Sequence, residues 1–301
     1  MLSLSRLRAV VASGTALVAL ATLGAGTAQA HTRTDRADHQ ARQAPQAQQV
    51  KRIHNALQIA HPSAPDSFCT IGAVGTDDYG RRIAISAGHC GGGPQADREI
   101  HDNSFPLYDR ADFAFGPIGY VRYFKSPEGS MTGHPTKDYM IIELVPEVTL
   151  SSQGPHLKQT GQVEVPGGTP SPNAKSPARP DERLLGAGLF DNNELVVSGQ
   201  LGVWYGRITN NSNGIYQSHA PHKAGDSGGP TIWHVPGTPY PSEANGFQAE
   251  GPWAGITKAR ILGFPPYVYT SSANILADLR ARDAADPADV YGAGFEVTSN
   301  P

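Results

Sequence analysis

The heptapeptide Ala224–Pro230, AGDSGGP, places a serine between an aspartate and two glycines. A serine hydroxyl is a poor nucleophile until a base removes its proton, and the oxyanion formed by its attack needs N–H donors placed in advance. Gly225 can bring its N–H close to such an oxyanion because it has no side chain, and the N–H of Ser227 is the second candidate donor. The segment therefore predicts acyl transfer, with Ser227 as nucleophile and Gly225 and Ser227 as the oxyanion hole.

A candidate base and a candidate orienting acid lie upstream of this serine. His89 stands in ISAGHC at 85–90, and Asp138 stands in KDYMIIEL at 137–144. These motifs, their order and the run FCTIG at 68–72 resemble the chymotrypsin-like serine proteases, above all the secreted bacterial streptogrisin type. The resemblance covers roughly residues 66 to 285. It implies that Ser227 attacks a peptide carbonyl, that His89 takes and returns the proton, and that Asp138 holds the imidazole tautomer, with no cofactor or metal.

Asp112 is the alternative orienting acid. It is closer to His89 in the sequence, and it lacks the apolar pair Ile141–Ile142 that follows Asp138. We therefore prefer Asp138. Each of the three predicted residues also has an ordinary alternative, as a buried histidine, a strand-end carboxylate or a turn serine, and only their combination favours a triad.

The chain has two cysteines, Cys69 and Cys90. Cys69 lies on a short apolar run, a turn at 77–80 follows, and a second run at 83–87 leads back to Cys90. The resemblance implies a disulfide that closes this hairpin and fixes the loop carrying His89. Two free thiols or half of a metal site are the alternatives, although no second cysteine pair is present to complete a zinc site.

The first 30 residues predict a secretory signal peptide, because two arginines precede an apolar stretch at 9–23 and a small-residue cleavage site at 28–30. A retained membrane anchor is the alternative, but this stretch is shorter than the about 20 residues that span a bilayer. We expect a secreted protein without a stable membrane anchor. Its formal charge of −3 becomes more negative on cleavage, which argues against nucleic-acid binding. The expected partner is a protein or peptide substrate, and the expected state is a monomer.

The composition and the strand pattern predict an all-β fold. A content of 34 glycines, 25 prolines and only 3 methionines is typical of a turn-rich β protein. Short β-branched or aromatic runs predict strands at 68–74, 82–86, 139–145, 195–208, 214–218, 231–235, 253–257 and 267–269. Ser271 or Ser272 can cap a helix with an apolar stripe at 275, 276 and 279. The resemblance implies two six-stranded antiparallel β-barrels, chymotrypsin-like, followed by this C-terminal α-helix.

The predicted protease domain spans residues 63–286, with a proline-rich excursion between the barrels at about 166–181. A polar leader or propeptide at 31–62 precedes it, and a loosely tied tail at 287–301 follows. Val50, Ile53 and Leu57 fall on one helical face. This spacing predicts a prosegment helix or an element packed on the enzyme.

Asp226 precedes the nucleophile and needs a partner in the family that the chain resembles. Animal members bury a freed N-terminal isoleucine against this acid, but the segment from Ile53 lacks the glycines that such an insertion uses. Streptogrisin-like enzymes use an internal arginine instead, and Arg207 has a similar place in the sequence. We predict an ion pair between Arg207 and Asp226, with a solvated surface arginine as the alternative.

The primary substrate pocket departs from the family pattern. Pro221 stands where the pocket floor is expected, so no aspartate is available there for a substrate lysine or arginine. His222, Lys258 and Arg260 together predict a cationic pocket that accepts Glu or Asp. The alternative is that the long basic side chains reach solvent or block the pocket.

Two functions of different class follow. The first is a secreted serine endopeptidase that works through an acyl-enzyme, and the intact GDSGG at 225–229 favours it. The second is a catalytically impaired, protease-like binding or adhesion protein with an occluded cleft. Lys258 and Arg260 are the residues that favour the second function.

Overall fold

The computed structural model describes residues 50–91, 98–125, 138–151, 179–181, 193–212, 214–238, 250–261, 267–286 and 290–298. The predicted signal peptide, the leader up to residue 49 and residues 166–178 of the proline-rich excursion lie outside the described residues. Within the described ranges, no helix is long and apolar enough to cross a membrane.

The first half of the chain builds one large open sheet and one small sheet. Its strands are β1 (Lys51–His54), β2 (Gln58–Ala60), β3 (Phe68–Thr70), β4 (Ala73–Thr76), β5 (Arg82–Ser86), β6 (Arg98–Glu99), β7 (Pro106–Asp109), β8 (Pro117–Lys125), β9 (Tyr139–Leu144) and β10 (Val148–Ser151). The large sheet runs in the order β4-β5-β9-β8-β7-β2-β3, with β6 paired to β8. β1 and β10 form a separate parallel pair.

The second half of the chain closes into a barrel. Its elements are β11 (Arg179–Asp181), β12 (Glu194–Gly199), β13 (Gly202–Ser212), β14 (Ile215–Ser218), β15 (Pro230–His234), β16 (Glu250–Arg260), β17 (Tyr267–Ser271), α1 (Ser272–Ala285) and β18 (Glu296–Val297). Six strands follow one another as β16-β15-β12-β13-β14-β17, and the antiparallel pairing of β16 with β17 closes the ring. β11 adds a short parallel pair to β16. β18 returns to the first sheet and pairs with β4.

The predicted fold class, all-β with two chymotrypsin-like barrels and a C-terminal α-helix, is confirmed. The N-terminal barrel is an open half-barrel. β3 lies at one end of its sheet, where the N–H of Thr70 donates to the carbonyl of Ser227 instead of to a neighbouring strand (2.8 Å). The open edge of the first barrel therefore faces the loop that carries the predicted nucleophile.

β9 shows why its sequence forms a central strand. Side chains alternate between two faces of a strand, and both faces of β9 are covered. Tyr139 and Ile141 pack into the cluster that also holds α1, whereas Met140 and Ile142 pack into the interior of the first barrel. Because all four are fully buried, this part of β9 is a continuous apolar run, and the preceding residue, Asp138, lies directly at the start of a buried strand.

Two of the predicted strands are divided in the structure. The segment predicted as one strand at 195–208 is the hairpin of β12 and β13, which turns at Gln200 and Leu201. The segment at 68–74 is interrupted between β3 and β4 at Ile71 and Gly72. A β-carbon on Gly72 would lie 2.4 Å from the carbonyl oxygen of Gly228, so the chain passes very close to the nucleophile segment at this interruption.

The helix predicted around Val50, Ile53 and Leu57 is wrong, and the alternative, an element packed on the rest of the protein, agrees with the structure. Residues 51–60 form strands, and β2 lies inside the large sheet between β3 and β7. Ile53 is fully buried while Val50 is 61% exposed, so these residues do not share one apolar face. The first half-barrel therefore includes residues that were assigned to the leader.

The C-terminal segment 290–298 is firmly docked, in contrast to the loosely tied tail that was predicted. Phe295 is 3% exposed and its ring meets Trp253 of β16 edge to face, with centroids 5.8 Å apart. The N–H of Gly292 donates to the buried carboxylate of Asp77 (3.1 Å), and the N–H of Thr298 donates to the carbonyl of Val74 (2.8 Å). The segment thus joins the second barrel to the first.

Candidate active site

His89 and Asp138 are held together by two hydrogen bonds. His89 lies in the 3₁₀ turn Gly88–Gly91 that follows β5, and Asp138 immediately precedes β9. The backbone N–H of His89 donates to Oδ1 of Asp138, and its ring Nδ1 lies at hydrogen-bond distance from Oδ2, both at 2.8 Å. Asp138 is fully buried, whereas the side chain of His89 is 31% exposed. With Nδ1 protonated toward the carboxylate, Nε2 of His89 is the basic nitrogen.

Asp112, the alternative acid, is bonded to a lysine instead of to His89. Its Oδ2 accepts a hydrogen bond from Nζ of Lys51 at 2.7 Å, and the same ammonium lies 2.6 Å from Asp109. This cluster ties the N-terminal strand β1 to the end of β7. Asp138 is therefore the acid that contacts His89.

Residues 223–229 form the Ser227 loop, which lies between β14 and β15 and is held by both barrels. From the first barrel, Thr70 donates its N–H to the carbonyl of Ser227 (2.8 Å) and its hydroxyl to the carbonyl of Gly225 (2.7 Å). From the second barrel, the carbonyl of Thr257 accepts the N–H of Gly228 at 2.7 Å. Sequence reasoning missed Thr70, whose position beside Cys69 carries no signal of this contact.

Gly225 adopts a backbone conformation that favours glycine, with φ at +93°. A β-carbon there would lie 2.4 Å from the ring of Phe68, so any other residue would also collide with the first barrel. In the described part of the chain, the N–H groups of Gly225 and Ser227 donate to no protein acceptor. Both predicted oxyanion-hole donors are therefore available to a ligand.

Cys69 and Cys90 form a disulfide, with their Cα atoms 6.3 Å apart. It connects β3 to the turn that carries His89. Cys69, His89 and Cys90 offer atoms close enough to hold a metal, but sulfurs joined in a disulfide are not the thiolates that bind one. The structure thus contains the predicted bridge in place of free thiols or a partial metal site.

A cavity of about 480 Å³ is lined by both His89 and Ser227. Its wall beside these residues includes Gly225 and the disulfide. Much of the remaining wall is apolar, contributed by Ile59, Ala60, Phe68, Phe105, Leu107 and Met140. The predicted base and nucleophile therefore share one cavity whose wall is largely apolar.

The predicted ion pair between Arg207 and Asp226 is not formed. Arg207 is exposed on β13, opposite Glu194 of β12. Asp226 is only 1% exposed, and its carboxylate accepts hydrogen bonds from Gln200 and from the N–H of Lys223. The acid is satisfied by neutral donors because the β12–β13 turn, rather than the middle of β13, reaches it. Sequence reasoning missed Gln200.

Of the residues predicted to form a cationic pocket, His222 and Arg260 lie against the same side chain, Tyr267, whereas Lys258 is buried near Asp138. Pro221 and His222 are buried, and burial lowers the pKa of His222 to about 4, which makes this histidine neutral near pH 7. Its ring packs against the edges of Tyr267 and Tyr269. None of these residues lines the described cavity.

Lys258 and Arg260 also point to different environments. Lys258 is only 2% exposed, and burial lowers its pKa, an effect that the nearby charge of Asp138 partly opposes. Arg260 is exposed, with its guanidinium 5.8 Å from the ring centroid of Tyr267. Residues two apart on a regular strand share one face, but β16 has a bulge between Thr257 and Ala259. This bulge separates the two cations.

No protein-family model and no curated protein matches the sequence. Among solved structures, the chain is similar to Thermobifida fusca protease A (15% identity, 82% of this chain and 100% of that chain covered, TM-score 0.43). It is also similar to Cellulomonas bogoriensis chymotrypsin (18% identity, 83% and 100% covered, TM-score 0.42). A third is a glutamic acid specific serine protease that uses a histidine triad in substrate binding (16% identity, 75% and 97% covered, TM-score 0.42).

The chain resembles bacterial chymotrypsin-like serine proteases. This was the resemblance predicted from the motifs. At these identities and TM-scores the comparisons leave the chemistry of this chain to be argued from its own side chains.

Proposed function

We propose that this protein is a serine endopeptidase with His89, Asp138 and Ser227 as its catalytic triad. The observation that carries the proposal is the pairing of His89 with buried Asp138 on the wall of a cavity that Ser227 also lines. The available N–H groups of Gly225 and Ser227 support it. Acyl transfer needs these parts together: an oriented base, a hydroxyl and two donors for the oxyanion.

In this mechanism Nε2 of His89 takes the proton from Oγ of Ser227 as that oxygen attacks the peptide carbonyl carbon. The carbonyl oxygen becomes an oxyanion that accepts hydrogen bonds from the N–H groups of Gly225 and Ser227. The protonated imidazole then gives its proton to the leaving amine, the C–N bond breaks, and an ester to Ser227 remains. Water, deprotonated by His89, attacks this ester and releases the acid, which regenerates the hydroxyl. Asp138 stabilises the imidazolium in both halves.

We propose that the enzyme acts outside the cell as a monomer, on protein or peptide substrates. Disulfides persist in oxidising compartments, so the Cys69–Cys90 bridge agrees with the signal peptide predicted at the N-terminus. The apolar wall of the cavity favours substrates with an apolar side chain next to the cleaved bond. Because none of His222, Lys258 and Arg260 lines this cavity, we do not propose a preference for Glu or Asp.

The alternative of an occluded binding protein loses part of its basis, since the side chain of Lys258 is buried rather than placed in the cavity. A serine-reactive phosphonate distinguishes the two functions, because it labels only a hydroxyl that is activated by a base. We expect one label, on Ser227, and loss of both labelling and peptide cleavage in Ser227→Ala. A folded, unlabelled wild-type protein would support the binding function.

The cavity itself offers a matched control. Ser63 lines the same cavity, and its hydroxyl lies 2.7 Å from Nδ1 of His61, so it is a second serine beside a histidine. Its backbone N–H also donates to that nitrogen (3.2 Å), which occupies the base. Ser63→Ala should therefore keep wild-type labelling and cleavage. Mapping of the label to Ser63 would overturn the assignment of Ser227.

A further inference from the structure

The acid that precedes the nucleophile has an unusual partner. Asp226 is buried, and its Oδ1 accepts hydrogen bonds from the backbone N–H of Gln200 (2.8 Å) and from the side-chain amide of the same residue (3.1 Å). Its Oδ2 accepts from the N–H of Lys223 at 2.9 Å. Gln200 therefore supplies two of the three donors, from a turn that lies 26 residues away in the sequence.

The same side chain also reaches the other side of the Ser227 loop. Nε2 of Gln200 donates to the carbonyl of Ala224 at 2.7 Å, so one amide group connects Ala224 and Asp226 and spans Gly225 between them. A β-carbon on Gly225 would lie 2.8 Å from this Nε2. The contact thus acts directly on the peptide that carries one oxyanion-hole donor. Among the hydrogen bonds of the described residues, Gln200 makes more contacts to the Ser227 loop than any other residue of the β12–β13 turn.

The other candidate anchors for Asp226 lie elsewhere in the structure. Arg207 is exposed on β13 and faces Glu194 across the hairpin. Ile53, the residue after the basic pair at 51–52, is fully buried in β1, which is paired with β10. A terminus released before Ile53 would have to leave this sheet to reach Asp226.

We propose that Gln200 is a positioning residue that holds Asp226 and Ala224, and with them the oxyanion hole, in the form needed for catalysis. This internal contact replaces both a freed N-terminus and a cationic partner, so the chain needs no cleavage between Arg52 and Ile53 to be active. The inference rests on the proposed peptidase function, since it assigns a role within that site.

The neutral character of the contact has an electrostatic consequence. Burial raises the pKa of Asp226, and the hydrogen bonds from Gln200 and Lys223 oppose this rise. The charged and titratable groups whose charge acts on it are Lys223, on the same loop, and Tyr269, on β17. Removing an amide donor should raise this pKa further, whereas a cation at position 200 should lower it.

Three variants test the inference. Gln200→Leu removes the side-chain donor, Gln200→Arg replaces it with a charged one, and Gln217→Leu is the matched control. Gln217 lies on β14 of the same barrel, where its side chain accepts a hydrogen bond from Asn210 (3.0 Å). For Gln200→Leu we expect about a ten-fold fall in kcat and in the rate of phosphonate labelling, with little change in KM, because the loss affects the transition state.

The titration of Asp226, followed by NMR of carboxyl-labelled protein, provides a readout that needs no enzymatic activity. We expect its midpoint to rise by about one pH unit in Gln200→Leu and to fall below the wild-type value in Gln200→Arg, which should also recover kcat. Gln217→Leu should change neither quantity. Circular dichroism checks that each variant is folded.

Each outcome supports one claim or overturns it. If Gln200→Leu leaves the Asp226 midpoint or kcat unchanged, the positioning role is wrong, even in an active enzyme. If the midpoints shift as expected but the wild-type protein neither cleaves peptides nor takes the label, the contact is established and the peptidase function fails. Arg52→Gln should be as active as the wild type, and a requirement for cleavage at this site would overturn the internal anchor.

Discussion

Removal of the Cys69–Cys90 disulfide should impair catalysis before it unfolds the protein. The bridge joins residues 21 apart in the sequence. Loop entropy for a ring of this size gives about 3 kcal/mol of stabilisation. A domain is usually stable by about 5–15 kcal/mol, so the double variant Cys69→Ala, Cys90→Ala should remain folded. At about 2–4 °C for each kcal/mol, its Tm should fall by about 6–12 °C.

The catalytic effect of this change should be local. Cys90 follows His89, and Cys69 precedes Thr70, whose N–H and hydroxyl hold the Ser227 loop. The bridge therefore connects the base to the strand that supports the nucleophile. Displacement of the imidazole by about 1 Å can cost about 100-fold in rate. We expect kcat to fall strongly while far-UV circular dichroism remains close to that of the wild type.

Peptide hydrolysis and thermal unfolding, measured with and without a mild reductant, provide the assay. The reductant should lower the activity of the wild type and should leave the double variant unchanged, which serves as the control for effects unrelated to the bridge. A double variant that keeps both the wild-type kcat and the wild-type Tm would refute the reasoning.

Three further changes test other contacts. Thr70→Val removes, at nearly constant volume, the hydroxyl that donates to the carbonyl of Gly225. Unfolding in urea should show a free energy of unfolding lower by about 1 kcal/mol, and peptide hydrolysis should show a lower kcat. An unchanged kcat would contradict the role of this contact. Phe295→Ala removes the ring that packs against Trp253 and should lower the free energy of unfolding by about 3–5 kcal/mol. A decrease below about 1 kcal/mol would mean that the C-terminal segment is not docked. The pKa of His222 in the folded state is about 4, below its ordinary 6.5. The folded protein therefore binds the proton less readily than the unfolded chain, and its free energy of unfolding falls by about 3 kcal/mol as the pH is lowered from 6.5 toward 4. Urea unfolding of His222→Phe should show a shallower loss across that range, and identical pH profiles would refute it.

The elements that sequence analysis predicted well depend on local information. β9 begins with an uninterrupted apolar run, and α1 is capped by Ser271, whose hydroxyl accepts the N–H of Asn274 at 3.1 Å. Both features are visible in neighbouring residues, because burial on both faces and an N-cap leave a pattern in the chain itself. The hairpin at 69–90 was predicted in the same way, from two strand-like runs around a turn, and the resemblance implied the disulfide that closes it.

The errors concern segments whose structure depends on a distant partner. The spacing of Val50, Ile53 and Leu57 suggested a helix as one of two alternatives, but β1 gains its backbone hydrogen bonds from β10. The segment 290–298 has little periodicity, and it is ordered by Asp77, Val74 and Trp253, which lie far away in the sequence. Short segments cannot satisfy their own backbone groups, so only the sheet or core that receives them determines their conformation.

The sequence alone determined the all-β class, the cysteine pair and the residue types proposed for catalysis, because these leave apolar runs, two cysteines and a glycine-flanked serine in the chain, and the resemblance carried by its motifs implied the two barrels. Only the tertiary structure decided which groups satisfy Asp226 and where the cations of the predicted pocket lie. The sequence suggested Arg207 for Asp226, whereas closure of the second barrel brings the turn at Gln200 to it. Likewise, Lys258 and Arg260 are two residues apart, but a bulge in β16 buries one and exposes the other. The partner of Asp226 and the positions of the two cations depend on strand register, on a bulge and on which turns lie close together. None of these leaves a local pattern in the sequence.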